Sequence, residues 1–167
     1  MIDLKEFNSF IEKNFHYVCG VPCSYYKDYL DFLTLHKNET KVKHIAATRE
    51  DEAVGIASGV VFSGKQALVY MQNSGLGNIG DALTSLAQLY KLPMLLLISY
   101  RGLEPDRDFP EHSLMGDVTE PVLQSLQLTY GVLSENNWKI EMERAIKAME
   151  QESSPVALLV KKGVLSQ

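Results

Sequence analysis

The residues best suited to do chemistry in this sequence are three consecutive carboxylates, Glu50, Asp51 and Glu52. They follow a short apolar run, residues 44–47, that predicts a buried strand, and they open an Ala/Gly/Ser-rich segment that predicts a helix. Carboxylates in the first turn of a helix accept hydrogen bonds from free backbone N–H groups, which accounts for Asp51 and Glu52. Glu50 comes first, at the carboxyl end of the strand, where open α/β sheets bind their ligands. The small residues of the helix would let a cofactor pack close to this carboxylate.

Polar side chains also follow the other strands that the sequence predicts at 17–22, 66–71 and 92–98. Because the carboxyl ends of parallel strands meet at one edge of a sheet, we expect these side chains around one crevice. The loop at 72–78 contains two glycines, but it matches neither G-x-G-x-x-G nor G-x-x-x-x-G-K-[ST], so a phosphate cradle is not indicated. The candidates are Cys23 and Ser24 after the first strand, Asn73, Ser74, Gly75 and Asn78 after the second, and Arg101 and then His112 after the third.

Strand and helix patterns alternate along the chain, which predicts an α/β fold. The run 92–98 is apolar almost throughout, as expected for a strand buried on both faces of a parallel sheet. We therefore expect one domain over residues 1–167, a doubly wound, mainly parallel sheet with helices on both faces, whose strand order stays open. Residues 99–117 show no periodicity and predict a long functional loop or a short irregular connector, and a helix is expected to open at Thr119 with Glu120 and Pro121.

Composition excludes several classes of function. The formal net charge is −5 without a basic cluster, which argues against a nucleic-acid partner. No apolar run has the length of a membrane span, and the first residues do not resemble a signal peptide. The spacing of Cys19 and Cys23 fits neither a thioredoxin-type pair nor a zinc site, so no metal ligand is predicted. A cytoplasmic location is expected.

The run from Glu50 to Ala53, with Gly59 nine residues after Glu50, resembles the glutamate motif of thiamine-diphosphate enzymes, in their pyrimidine-binding (Pyr) domain. Three further segments, 20–24, 71–78 and 99–102, resemble phosphonopyruvate decarboxylase and its relative sulfopyruvate decarboxylase. The four motifs occur in the family's order, and the resemblance covers essentially the whole chain.

The resemblance implies a role for each candidate. Glu50 would hydrogen-bond a ring nitrogen of the cofactor's aminopyrimidine and favour its imino tautomer, and His112 would assist proton transfer as the second catalytic residue. The phosphonopyruvate decarboxylases of the family carry Asp where this chain has Cys23. The cofactor would also be contacted by Asn73, Ser74, Gly75 and Asn78, and the substrate by Cys23, Ser24 and Arg101.

Structural roles for the same residues stay open at this point. Glu50 and Ser24 could cap helices, Asn78 could belong to a plain turn, His112 could be solvated, and Arg101 could pair with Asp81 or Glu104.

The diphosphate-binding G-D-G motif of the family is not matched at 80–82 or 116–118. The resemblance therefore implies an α subunit whose β subunit holds the diphosphate and Mg²⁺, in an α2β2 or larger assembly. The expected reaction is decarboxylation of 3-phosphonopyruvate to phosphonoacetaldehyde, with conversion of sulfopyruvate to sulfoacetaldehyde as the second choice. A non-catalytic regulatory subunit with the Pyr fold and a flavodoxin-like nucleotide-binding module are the remaining alternatives.

Overall fold

The computed structural model describes residues 1–103 and 108–166. Its centre is a sheet of six strands, all parallel, in the order β2-β1-β3-β4-β6-β5. The strands are β1 (Tyr17–Gly20), β2 (Lys43–Ala46), β3 (Ala67–Gln72), β4 (Leu95–Ser99), β5 (Thr129–Leu133) and β6 (Val156–Val160). This is the doubly wound α/β architecture that the sequence predicts.

Helices cover both faces of the sheet. The α-helices are α1 (Leu4–Asn14), α2 (Lys27–Leu35), α3 (Glu50–Phe62), α4 (Ser113–Ser125) and α5 (Trp138–Glu152). A π-helix spans Ala82–Gln88, and short 3-10 turns span Ser24–Tyr26, Asn73–Gly77 and Pro110–His112. The side chain of Asp3 caps α1 by accepting a hydrogen bond from the Glu6 amide at 2.8 Å. No helix in the described part of the chain is long and apolar enough to cross a membrane.

Alternate residues of the central strands face two separate hydrophobic clusters. In β3, Leu68 and Tyr70 belong to the cluster that α1, α2 and α5 cover, and Val69 and Met71 belong to the cluster that α3, the π-helix and α4 cover. The same alternation continues in β4 and β6. Burial on both faces explains why these strands read as continuous apolar runs.

The connections change direction between β1 and β3. The chain passes from β1 outward to β2, then returns to place β3 on the other side of β1. A crevice at the carboxyl ends of the strands is expected at such a switch point. The turns after β1 and β3, which carry the candidate residues, therefore flank it.

Three expectations were wrong. The run at 44–47 does not form a buried strand: β2 is an edge strand whose side chains are half-buried or exposed. The helix α4 begins at Ser113, so Pro121 lies inside it. Residues 110–117 of the predicted connector form a 3-10 turn and the start of this helix, and its residues 104–107 lie outside the described part of the chain. Pro110, at the first position of the 3-10 turn that leads into α4, is the start signal that the sequence carries. Strand β5 was not predicted.

Candidate active site

The three consecutive carboxylates at the start of α3 turn in different directions. Glu52 accepts from the backbone amide and the hydroxyl of Thr48, at 2.8 and 2.7 Å. Asp51 accepts from the Glu52 amide at 3.0 Å and pairs with the exposed Arg49 side chain. These two therefore act as the helix-start carboxylates that the sequence predicts. Glu50 is half-buried and makes none of these bonds.

Glu50 instead points toward the turn that follows β3. Its Oε2 accepts a hydrogen bond from Nδ2 of Asn78 at 2.7 Å. Gly75, which is buried in the same turn, lies directly against the carboxylate: a Cβ at this position would be 2.4 Å from Cγ of Glu50 and 2.9 Å from Oε1. Ser74, between Asn73 and Gly75, is exposed. The carboxylate is thus packed and oriented by the turn, so Glu50 is not a helix cap and Asn78 is more than a turn residue.

Asn73 is fully buried and connects this turn to the next strand end. Its Nδ2 donates to the backbone oxygen of Arg101 and to the hydroxyl of Thr119, both at 2.8 Å. Its Oδ1 is a buried acceptor with no partner among the described residues. An unpartnered buried amide oxygen is unusual, because the lost hydration is not replaced.

Cys23 and Ser24 lie at the carboxyl end of β1, as predicted. The sulfur of Cys23 is 3.3 Å from the Ser99 hydroxyl and 3.8 Å from Oε1 of Gln72. Ser24 accepts a short hydrogen bond from Nη2 of Arg101. Ser24 makes no cap bond to α2, so the helix-capping alternative is wrong.

Arg101 is largely buried, with 12% of its side chain exposed. Its Nη1 lies 2.8 Å from Oδ1 of Asp108, and its guanidinium stacks 4.4 Å from the centre of the Tyr25 ring. Burial acts to lower the pKa of Arg101, but the bond and charge of Asp108 outweigh it, so the pKa is raised and the group is charged. Asp108, rather than Asp81, is the carboxylate partner, and Glu104 lies outside the described residues.

His112 is also held by Asp108. Its Nδ1 is 2.9 Å from Oδ1 of Asp108, and 16% of its side chain is exposed, so it is not a solvated loop residue. Gly102 brings the two segments together: it adopts φ +76°, and a Cβ there would lie 2.1 Å from the backbone oxygen of His112. Only glycine tolerates both the conformation and the approach.

The predicted residues therefore form two groups at one edge of the sheet, and Asn73 connects them. The first group is Glu50, Gly75 and Asn78, and the second is Cys23, Ser24, Arg101 and His112. Asp108, the centre of the second group, was missed by the sequence analysis. The signal was an Asp four residues before His112, which is a common spacing for paired side chains.

The first group fits one end of a flat, nitrogen-containing ring. Glu50 keeps Oε1 free of other hydrogen bonds in the described structure, and the absence of a side chain at Gly75 leaves the carboxylate room. Among residues 1–103 and 108–166, no three His, Cys, Asp or Glu side chains converge as a metal site would require. The residues present fit the pyrimidine end of thiamine diphosphate.

Comparison with known proteins identifies the class. The family model described as "Thiamine pyrophosphate enzyme, N-terminal TPP binding domain" matches residues 9–117, and the chain belongs to this family. This confirms the resemblance and the fold predicted from the sequence.

Two individual relatives are similar to most of this chain. The sulfopyruvate decarboxylase α subunit of Methanocaldococcus jannaschii is 36% identical over 155 residues, covering 92% of this chain and 89% of the relative. The phosphonopyruvate decarboxylase of Streptomyces viridochromogenes is 27% identical over 151 residues, covering 89% of this chain but 37% of the relative. The prediction of a carboxy-lyase of this family is confirmed at that level.

A solved structure supports the fold. The 2-oxoglutarate:ferredoxin oxidoreductase of Magnetococcus marinus matches 99% of this chain and 29% of its own, with a TM-score of 0.64 and 13% identity. At this identity the likeness concerns the fold alone. The family match leaves no support for a flavodoxin-like module.

Proposed function

We propose that this chain is the α subunit of a two-chain, thiamine-diphosphate-dependent 2-oxo acid decarboxylase. The observation that carries the proposal is the orientation of Glu50, the one carboxylate of three that turns away from the helix start and toward Asn78 and Gly75. The relatives named "subunit alpha" support the two-chain organisation. A β subunit would hold the diphosphate and Mg²⁺, and an α2β2 or larger assembly is expected.

Each group of the crevice has a task in this proposal. When bound, the cofactor supplies an electron sink for the carbanion that decarboxylation leaves. Oε1 of Glu50 would share a proton with the pyrimidine nitrogen, and Asn78 keeps the carboxylate in that orientation. Asn73 positions the Arg101 backbone, and its unpartnered Oδ1 offers an acceptor at the same turn. Ser74, exposed beside Gly75, completes this cofactor surface.

The second group is proposed to bind the substrate. Arg101 presents a planar guanidinium whose donors suit an anionic oxygen group, and Ser24 and Cys23 lie beside it. His112 assists proton transfer through Nε2. The Asp108 carboxylate takes part in this chemistry only indirectly, because protein donors occupy both of its oxygens.

The charge of the site favours sulfopyruvate over 3-phosphonopyruvate. A sulfonate carries one negative charge at neutral pH, whereas a phosphonate, like a phosphate monoester, carries roughly 1.5 to 2. The Arg101 cation is already paired with Asp108 at 2.8 Å, so binding the larger charge of a phosphonate here costs more than binding that of a sulfonate. The sulfopyruvate relatives named "subunit alpha" are 33% to 36% identical to this chain, against 27% and 28% for the phosphonopyruvate relatives, which points the same way. 3-Phosphonopyruvate, the first choice from the sequence, becomes the second candidate.

The test is to purify the chain with its β subunit and measure CO2 release from both acids, with thiamine diphosphate and Mg²⁺ present. Each subunit alone is the control. We expect release from the complex only, and faster from sulfopyruvate. Faster release from 3-phosphonopyruvate would overturn the substrate choice. No release from either acid by a complex that binds the cofactor would favour the non-catalytic regulatory subunit instead.

A further inference from the structure

One buried carboxylate, Asp108, stands at the centre of the substrate-side group. Only 4% of its side chain is exposed. Both of its oxygens are occupied by donors from separate parts of the chain. Oδ1 accepts from Arg101 Nη1, the Phe109 amide and His112 Nδ1, and Oδ2 accepts from the Gly102 amide and the Tyr25 hydroxyl.

Asp108 is ionised at neutral pH. Burial acts to raise its pKa, but the hydrogen bonds from Phe109, Gly102, Arg101 and His112 outweigh burial and hold the pKa well below its ordinary range. Burial and the Asp108 charge also raise the pKa of Tyr25 to about 12, so its hydroxyl stays protonated and donates at 3.3 Å. All the bonds to Asp108 therefore have the carboxylate as acceptor.

An acceptor-only carboxylate decides where the neutral His112 ring carries its proton. Nδ1 lies 2.9 Å from Oδ1 of Asp108, so Nδ1 must be the donor and Nε2 must be unprotonated. No hydrogen bond to Nε2 is formed within the described part of the chain. Nε2 is therefore the nitrogen left to exchange a proton with a bound ligand.

The same oxygen also orients Arg101. Nη1 is bound to Asp108 at 2.8 Å, which leaves Nη2 directed at Ser24, while the Tyr25 ring packs against the guanidinium plane. Nε is buried and has no partner among the described residues. The guanidinium thus has few alternative orientations, and its direction and the tautomer of His112 both depend on Oδ1.

We propose that Asp108 is the positioning residue of the active site, a single carboxylate that fixes the Nδ1–H tautomer of His112 and the direction of the Arg101 guanidinium together. The role of these two residues in catalysis rests on the proposed function, whereas their coupling through Asp108 does not. Asp108 itself touches no substrate in this proposal.

The direct test is the nitrogen chemical shifts of the His112 imidazole, measured in the isotope-labelled full chain bound to its β subunit and assigned with His112→Gln. The neutral ring is expected as the Nδ1–H tautomer. A neutral ring that is mainly Nε2–H would overturn the proposal. This measurement needs no change at residue 108, so it decides the point even where Asp108 variants fail to fold.

A variant then tests the coupling. Asp108→Asn replaces the acceptor-only group with an amide, and we expect the Nε2–H form to appear and the Arg101 guanidinium hydrogens to exchange faster. Asp117→Asn, an identical change at an exposed position of α4, should move neither signal. An unchanged tautomer in folded Asp108→Asn would also overturn the proposal.

Steady-state kinetics add two quantities, kcat and KM per active site, that would not change if Asp108 had a purely structural role. In the complex, Asp108→Asn should lower kcat on the order of 100-fold through His112 and raise KM through Arg101. If Asp108→Asn lowers only the amount of active protein, and kcat and KM per active site are unchanged, the positioning role is contradicted. Because the tautomer is measured without turnover, failure of this inference and failure of the decarboxylase proposal give different results.

Discussion

Gly75 and Glu50 are in direct contact at the point where α3 begins and β3 ends. A Cβ at position 75 would lie 2.4 Å from Cγ of Glu50, well inside van der Waals contact, so the side chain of Glu50 occupies the space that any other residue at 75 would need. The two positions are 25 residues apart in sequence. The glycine therefore serves the orientation of one carboxylate rather than a turn conformation.

Gly75→Ala is expected to displace the Glu50 side chain while the fold is kept, because Glu50 is flexible and can move away from the added methyl group. A displacement of about 1 Å at a catalytic group can cost on the order of 100-fold in rate, and we expect a loss of this size in kcat for the complex. Urea unfolding should show a loss at the low end of the roughly 1–3 kcal/mol that an added methyl group costs in a packed site.

The same turn offers the control for this change. A Cβ at Gly77 would meet no atom within 4 Å, so Gly77→Ala should leave both kcat and stability close to those of the wild type. Equal losses of activity in the two variants would show that the turn, and not the contact with Glu50, matters.

Arg101→Lys should weaken substrate binding more than it slows the chemical step. Lysine keeps the charge but cannot bond Asp108 and Ser24 through one planar group. Loss of a charge-assisted hydrogen bond of roughly 1.5 kcal/mol corresponds to about a 10-fold rise in KM for the 2-oxo acid.

Arg144→Lys is the matched control, because Arg144 is exposed on α5 and its ion pair among the described residues is with Glu141. Its KM should equal that of the wild type. A wild-type KM in Arg101→Lys would remove the guanidinium from substrate binding.

The stability of the chain should depend on Asp108 in acid. Its pKa is lowered in the folded state, so the unfolded chain binds this proton more readily. The contribution of Asp108 is therefore fully present above its unfolded pKa of about 3.9 and declines as the pH falls below it toward the folded pKa. Urea unfolding of wild type and Asp108→Asn at several pH values should show a difference that is constant near neutrality and shrinks below about pH 4. A difference that grows on acidification would contradict the assignment.

The parallel sheet could be predicted from sequence because strands buried on both faces, such as Leu95–Ser99, read as apolar runs. Strand β5 could not be predicted from the sequence, because Thr129–Leu133 is mostly half-buried at the sheet edge and contains Gly131. Neither alternation nor an apolar run therefore marks it. The edge position of β2 depends on strand order, which local pattern does not encode.

Most residues of the site could be identified from the sequence, but their arrangement in the folded chain could not. The residues at the strand ends followed from the fold and the resemblance. The central place of Asp108 did not, because its partners include Tyr25, 83 residues earlier in the chain, and two backbone amides that carry no sequence signal. Likewise, the sequence identified Glu50 by its place at the strand end and by the motif, but the orientation of its carboxylate toward Asn78 and Gly75 is seen only in the folded chain.

The central claim is that the Glu50 carboxylate acts on the pyrimidine of a thiamine diphosphate held between this chain and its partner. Its most direct test is the rate at which the thiazolium C2 hydrogen of the cofactor exchanges with deuterium in the complex. Glu50→Gln should slow this exchange by about 100-fold or more while the cofactor remains bound, because an amide cannot share a proton with the pyrimidine nitrogen as the carboxylate does. Glu52→Gln, a change in the neighbouring helix-start carboxylate, should leave the rate unchanged. An undiminished exchange rate in Glu50→Gln would contradict the account.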